Sequence, residues 1–362
     1  MTRISACLLA LLLFTGLAIA QEGASVATGL NGPMGITFDP DGNLWIVDSG
    51  VGGAETIDYT PPGAPEPQPL PFGMSARVIR VSPAGEQADV ATLPSVSLGM
   101  EVSGGNRLVW LDGALYLTSG VWMEGSDSSP PEFISEVVRI DPASGEVTTV
   151  ADTWAFEEAE NPDDFIVESH PYGIAAGPDG MLYVADAGAN TLLRVAPDSG
   201  EIELVTVFDG VEGMIPNDAR GGAQENDPVP TGITFSADDR MLVTFLPGFP
   251  PVPGSSRLVA IAEDGSYETV ATGMTVTTDV ATAPDGTLYT VQMAEFGETG
   301  PAPASGTVYR IGDDGTPSPV ITGLSFPTAL AFDADGALYV TINGVGAPGS
   351  GEVLRFEDVG SL

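Results

Sequence analysis

The apolar residues of this chain fall in short runs bounded by turn signals, and the runs recur on a common beat. One unit reads Ile36-Thr37-Phe38, then Asp39-Pro40-Asp41-Gly42, then Leu44-Trp45-Ile46-Val47: strand, tight turn, strand. The figure returns at Leu111–Leu117, Pro178–Val184, Pro284–Tyr289 and Ala334–Val340, and at Asp238–Leu242 without the glycine. Asp-Gly between apolar runs is a strong hairpin signal, because Gly takes the positive φ that such turns need. A third strand carries arginine at Arg80, Arg139, Arg194, Arg310 and Arg355, with Ala260 in that place once. A fourth carries a valine phrase, as in Val26-Ala27-Thr28, at Val26, Val90, Val150, Val205, Val270 and Val320.

Those valines are 64, 60, 55, 65 and 50 residues apart. Four antiparallel strands repeated at such a period predict an all-β chain folded as a six-bladed β-propeller. The last unit lacks a fourth strand, and a spare one stands at Val26. The pattern therefore predicts a ring closed by the N-terminal strand in the last blade, with Ser25–Leu30 pairing to Gly351–Phe356. Closure of this kind removes open sheet edges.

Residues 1–20 read as a secretory signal: Arg3, an apolar stretch, and Ala18-Ile19-Ala20 as a cleavage site. The expected division is a signal peptide over 1–20 and one propeller domain over 21–362. The product is expected to be secreted or periplasmic, cut after Ala20, with no membrane insertion afterwards. The only cysteine, Cys7, would leave with the signal, which excludes a disulfide scaffold and thiol chemistry. Net charge is −39, from 50 acidic residues against 11 arginines and no lysine. Such a field excludes nucleic acid and anionic membranes as direct partners. It attracts cations and also serves solubility.

Loop lengths divide by position. Turns between first and second, and third and fourth, strands are short. Long insertions follow the second strand, at 49–76, 119–134, 246–256, 291–306 and 342–350, or the fourth, at 94–105, 152–170 and 208–229. In an up-and-down blade these emerge on one face, which is where a site is expected.

The channel rim is set by the starts of the inner strands: Pro33-Met34-Gly35, Pro171-Tyr172-Gly173, Pro230-Thr231-Gly232, Thr277-Thr278-Asp279 and Pro327-Thr328-Ala329. Met34, Tyr172, Thr231, Thr278 and Thr328 are ligand-binding candidates on this ground. Asp279 is a carboxylate where the other four use Gly or Ala, and reads either as a ligand to a cation or as a cap for backbone N–H groups. His170, the only histidine, reads as a general base or as a rim residue packed on Tyr172. One histidine without cysteine excludes zinc chemistry, and no Gly-x-Ser-x-Gly elbow is present. Two acidic clusters lie in the insertions: Glu157, Glu158, Glu160, Asp163 and Asp164, and Asp218, Glu225 and Asp227. Carboxylates in loops suit calcium, the one cofactor this chemistry suggests, and equally suit solvated charge. Asp279 is the first metal candidate, with Asp163, Asp164, Glu225 and Asp227 behind it. Trp122, Trp154, Phe156, Phe165, Phe249 and Phe296 could floor a pocket or pin the insertions. The Pro-rich stretches Pro61–Pro71 and Pro247–Pro253 read as stiff surface loops. The recurrent arginines read as bridges between blades, with Asp48 and Asp186 as available acids.

The run His170–Ile174 through Asp186–Val195, the stretch Leu246–Pro250, the Thr278-Asp279-Val280 phrase and the C-terminal Gly349–Arg355 resemble the ScyD/ScyE family. That resemblance implies an exported six-bladed, NHL-like propeller, some members being encoded with the genes for the sunscreen pigment scytonemin. It carries no catalytic residues over. More distant likenesses are the gluconolactonase-like, paraoxonase-like and strictosidine-synthase-like enzymes, of which those with calcium hold it in the central channel. The expected function is a non-catalytic or accessory propeller binding a small molecule or an envelope protein. The alternatives are a calcium-dependent hydrolase or lactonase, and a lyase or isomerase with His170 as base.

Overall fold

The computed structural model describes residues 23–60, 65–99, 101–126, 129–217, 220–297 and 300–361. The signal segment with Cys7, residues 61–64 of the first Pro-rich stretch, and Asp218 lie outside the described residues.

The chain is nearly all-β. It opens with β1 (Ala24–Leu30). The first sheet is formed by β2 (Pro33–Phe38), β3 (Leu44–Asp48), β4 (Glu55–Tyr59), β5 (Gln68–Val81), β6 (Gln87–Ser97) and β7 (Val102–Ser103). The second holds β8 (Gly105–Leu111) and β9 (Ala114–Ser119); then, past the short β10 (Trp122–Met123), come β11 (Glu136–Ile140) and β12 (Val147–Asp152). Helix α1 (Thr153–Glu160) and β13 (Glu168–Ser169) follow, and β13 pairs with β10. The third sheet is β14 (Pro171–Ala176), β15 (Leu182–Asp186), β16 (Thr191–Val195) and β17 (Ile202–Val207). A hairpin, β18 (Val211–Asn217) and β19 (Ala223–Asn226), precedes the fourth sheet. That sheet is β20 (Pro230–Phe235), β21 (Met241–Phe245), β22 (Ser256–Ile261) and β23 (Tyr267–Met274). The fifth starts with β24 (Thr277–Thr282) and β25 (Leu288–Gln292), carries the small hairpin β26 (Phe296–Gly297) and β27 (Gly300–Pro301), and ends with β28 (Gly306–Ile311) and β29 (Pro317–Leu324). The last is β30 (Leu330–Phe332), β31 (Leu338–Ile342) and β32 (Gly351–Phe356). Strand β1 completes it, pairing Ala24 with Arg355, Ala27 with Val353 and Leu30 with Gly351.

Hydrophobic cores lie between successive sheets. Trp45, Val78, Leu108 and Leu117 join the first to the second. Corresponding clusters follow in turn, and Leu30, Ile36, Ile79 and Ala329 join the sixth back to the first. The inner strands, such as β3 and β15, thus bury both faces against the neighbouring sheets and read as apolar runs, whereas the fourth strands, such as β17 and β29, stay partly exposed.

The recurring valine has a structural cause. In every sheet the pairing of the third and fourth strands skips one residue, a β-bulge, and the skipped residue is that valine. Val78 faces Ala91 and Ile79 faces Asp89, leaving Val90 between. Val26, Val150, Val205, Val270 and Val320 are left over in the same way. A bulge re-aims the backbone. Here it brings the valine carbonyl against the next sheet's turn: a Cβ on Gly145, Gly200, Gly265 or Gly315 would lie 2.0–2.3 Å from the carbonyl oxygen of Val90, Val150, Val205 or Val270 respectively. Those glycines also have positive φ, so the position admits no side chain on either ground.

The third-strand arginines do not bridge sheets. Arg194 pairs with Asp179 at 3.0 Å and Glu203 at 2.7 Å, both in its own sheet, and Arg355 with Asp333 and Glu357 likewise. Asp48 is taken by Arg77 at 2.5 Å, and Asp186 by backbone amides. A third strand sits beside the fourth and above the first hairpin turn, so its arginine reaches acids of its own sheet first.

Candidate functional site

Two places concentrate polar groups: the bulged starts of the innermost strands, where the sequence places the channel, and the insertions.

At the channel, the inner strands β2, β8, β14, β20 and β24 start with a second set of bulges. Pro33 faces Asp48 and Gly35 faces Val47, leaving Met34 unpaired; Tyr172, Thr231 and Thr278 are left over in the same way. On β8 two residues, Asn106 and Arg107, lie between the pairs Gly105–Ser119 and Leu108–Leu117. Arg107 is 5% exposed. Its guanidinium donates to the carbonyls of Thr278 and Thr328, each at 2.7 Å, and to that of Met34. It lies over the Tyr172 ring, 4.6 Å from the centroid, and its Nε is 3.7 Å from Asp279 Oδ2. One cation thus gathers groups from β2, β14, β24 and the approach to β30. Asp279 accepts from Val280 N–H at 3.0 Å and Leu330 N–H at 3.1 Å. Burial raises its pKa, against the lowering effect of Arg107 and those amides. The threonines lock neighbouring strands: Thr231 donates to Thr277 O at 3.0 Å, Thr328 to Pro33 O at 2.5 Å, and Thr278 reaches Val291 O at 3.5 Å.

These residues do not fit calcium. The ion needs six to eight oxygens without a competing charge, and here the carbonyls and carboxylate already surround a guanidinium. Among the described residues no group of three or more His, Cys, Asp or Glu is arranged to hold a metal.

His170 stacks edge-on to Tyr172, ring centroids 5.4 Å apart. Its Nε2 is buried without a hydrogen-bond partner, and burial lowers its pKa to about 4. The imidazole is therefore neutral at ordinary pH.

Beyond the inner-strand starts, the insertions hold one another. Thr60 N–H donates to Gly125 O, Glu124 N–H to Val167 O and Gly248 N–H to Asp227 O; Phe249 meets Phe296. Asp163, Glu225 and Asp227 come together, whereas Asp164 stays exposed. Asn190 donates to Asp163 at 2.9 Å and to Asp227 at 3.4 Å. Arg220, 8% exposed, donates to Asp227 at 2.7 Å, pairs with Glu225 at 3.4 Å and covers the Phe165 ring at 4.2 Å. Asp279 and the Glu225–Asp227 pair, both nominated for calcium, are thus each met by an arginine.

Sequence reasoning named Glu157 as loop charge and Asp186 as a partner for arginine, and missed that the two lie buried together with Glu168. Helix α1 starts at Asp152, which caps Ala155 N–H, and ends at Asn161 with positive φ; it turns Glu157 inward. Glu157 is 1% exposed, and no side chain hydrogen-bonds to either oxygen. Burial, then the fields of Asp186, Asp163 and Glu168, push its pKa up to about 8. Glu168 is pushed to about 7 by burial and then Asp186 foremost. Asp186 rises to about 6 by burial, against hydrogen bonds from Ser169, Ala189, His170 and Gly188.

Between α1 and the β10–β13 pair opens a cleft of about 900 Å³, lined by Trp122, Glu124, Glu136, Asp152, Trp154 and Glu158 among others. Trp122 belongs to a small core with Ile57, Val96 and Ile134, and Trp154 packs against it. The tryptophans therefore both pin the insertions and line a cavity of small-molecule size.

No family model matches this chain, and no curated protein matches it. Solved structures do. A PQQ-bound aldose sugar dehydrogenase of Streptomyces coelicolor is 18% identical, with a TM-score of 0.56, covering 93% of this chain and 97% of that one. A gluconolactonase of Xanthomonas campestris is 14% identical, TM-score 0.56, covering 94% and 92%. A candidate oxidoreductase (glucose dehydrogenase) of Thermus thermophilus is 19% identical, TM-score 0.56, covering 92% and 99%. At these identities the likeness is one of fold, and the fold is a β-propeller.

Proposed function

We propose that the six sheets are the blades of one closed propeller over residues 21–362, with β1 as the outer strand of the last blade. The protein is then an exported, non-catalytic or accessory propeller, of the kind the ScyD/ScyE resemblance implies. It binds a small molecule or an envelope partner on its insertion-rich face. The observation that supports this reading is Arg107. A guanidinium bonded to three inner-strand carbonyls makes the channel a structural plug, while the cleft at Trp154 stays open. The test is a thermal-shift screen of small molecules against the signal-less protein and its Trp154→Leu variant, beside a lactone and ester panel. Ligands that stabilise only the parent, with no turnover, are expected. Turnover abolished by Asp279→Asn would overturn the reading.

The gluconolactonase among the structural neighbours favours a second reading, hydrolysis of a lactone. Calcium at Asp279 cannot be part of it while Arg107 holds that carboxylate, and no step is assigned through a metal.

A further inference from the structure

This inference rests on the reading above, that the insertion-rich face binds a small molecule, and names its chemical class. At three places in this protein an arginine joins an aromatic ring to carboxylates. Arg107 sits between Tyr172 and Asp279. Arg220 joins Phe165 to Asp227 and Glu225. Arg355 joins Tyr339 to Asp333 and Glu357. The cleft at α1 repeats the construction with the cation left out. It has Trp122 and Trp154, and the carboxylates of Glu124, Glu136, Asp152 and Glu158, but no arginine among its lining residues.

The missing charge is felt locally. Glu136 and Asp152 stand directly opposite each other on β11 and β12, and like charges in that position repel. Both are held in place: Glu136 accepts from Phe133 N–H at 3.3 Å and Thr149 hydroxyl at 2.6 Å, and Asp152 caps α1. They cannot swing apart without giving up those bonds. A metal ion is a poor occupant, since the described carboxylates form no coordinating group of three. An organic cation suits the cleft better, because its charge is spread over an apolar body that can lie on an indole. The cavity, about 900 Å³, is that of a small-molecule site.

We propose that the Trp122–Trp154 cleft binds a small organic cation, with Trp154 as its aromatic platform and Glu136 and Asp152 as its counter-charges. The probe is choline, and the control is 3,3-dimethylbutan-1-ol, its neutral isostere of like shape. Ligand-observed NMR titrations at about 0.15 M salt suppress the diffuse counter-ion cloud. Choline is expected to bind at least about tenfold tighter than the isostere. Trp154→Leu and Glu136→Gln should each weaken it about fivefold or more at unchanged fold. Glu136→Gln keeps an oxygen for Phe133 N–H, its amide nitrogen can donate to the Thr149 hydroxyl in place of accepting from it, and the change removes a repulsion, so it should fold. Equal binding of the two probes overturns the proposal, as does choline binding that both variants leave unchanged. Binding of a trilysine peptide but not of choline also overturns it, in favour of a basic protein partner. A neutral ligand that binds at Trp154 while choline does not would overturn this inference alone and leave the binding propeller standing.

Discussion

Replacing Glu157 by glutamine should make the protein more stable in alkaline solution and change little in acid. The carboxyl is 1% exposed, no side chain hydrogen-bonds to it, and its pKa is pushed from 4.5 to about 8. A folded-state pKa above the unfolded one means that the folded chain holds the proton more tightly. Stability therefore falls as pH rises from about 4.5 to about 8, and the full cost stands above pH 8. A tenfold difference in proton affinity between the folded and unfolded chain corresponds to about 1.4 kcal/mol. Between pH 5 and pH 8.5 the ionisation of this one group should cost on the order of 4 kcal/mol. Glutamine cannot ionise, and whatever its amide costs by lacking a side-chain partner is the same at both pH values. Equilibrium urea unfolding of parent and Glu157→Gln at pH 5 and pH 8.5 gives the difference of differences directly. An effect of glutamine that is equal at the two pH values, or larger in acid, would refute the reasoning.

Arg107→Met should destabilise by about 3–5 kcal/mol, because it leaves three buried carbonyls without their donor and the buried Asp279 carboxylate without its counter-charge. Adding Asp279→Asn should return part of that loss; strictly additive values in the double-mutant cycle would refute the coupling. Gly315→Ala should cost at least about 2 kcal/mol more than Gly273→Ala. Both have positive φ, but only Gly315 would drive a Cβ against Val270 O, at 2.1 Å. Removing residues 23–30 strips β32 of its partner and opens the core around Leu30; a truncated protein that keeps its melting temperature would falsify the proposed closure. Calcium and magnesium at matched ionic strength should raise the melting temperature equally, since a chain at −39 gains from any screening cation. A calcium-specific rise would count against the arginine-filled channel.

The strand pattern was legible because each blade repeats the same demands: a turn that needs Gly, two apolar strands, and a valine phrase. What the valine does was not legible. Recurrence shows that Val90 and Val150 are equivalent, but a bulge is a property of register between two strands, and no single strand displays it. The same holds at the channel. The phrase Pro-x-Gly marks the starts of β2, β14 and β20, yet only pairing shows that its middle residue is the bulged one. The second unit breaks the phrase, with Gly104-Gly105-Asn106-Arg107. That break was the available signal for Arg107, the one arginine on an innermost strand among the described residues.

The candidate site was harder to read because charge was visible and its neutralisation was not. Fifty acidic residues against eleven arginines suggest an external cation wherever acids cluster. The fold offers three other answers, each needing a burial or a distance that the sequence does not carry. Asp279 is met by Arg107, 172 residues away, and Asp227 by Arg220 of its own insertion. Glu157 and Glu168 are met by protons, because burial and mutual repulsion lift their pKa values to about 8 and about 7. Asp186 is met by a hydroxyl and three amides. Glu136 and Asp152 have none of these in full: they face each other at the rim of an aromatic cleft with no arginine lining it. If acids in this protein are compensated wherever they are held together, that pair is where the compensation has to come from outside the chain.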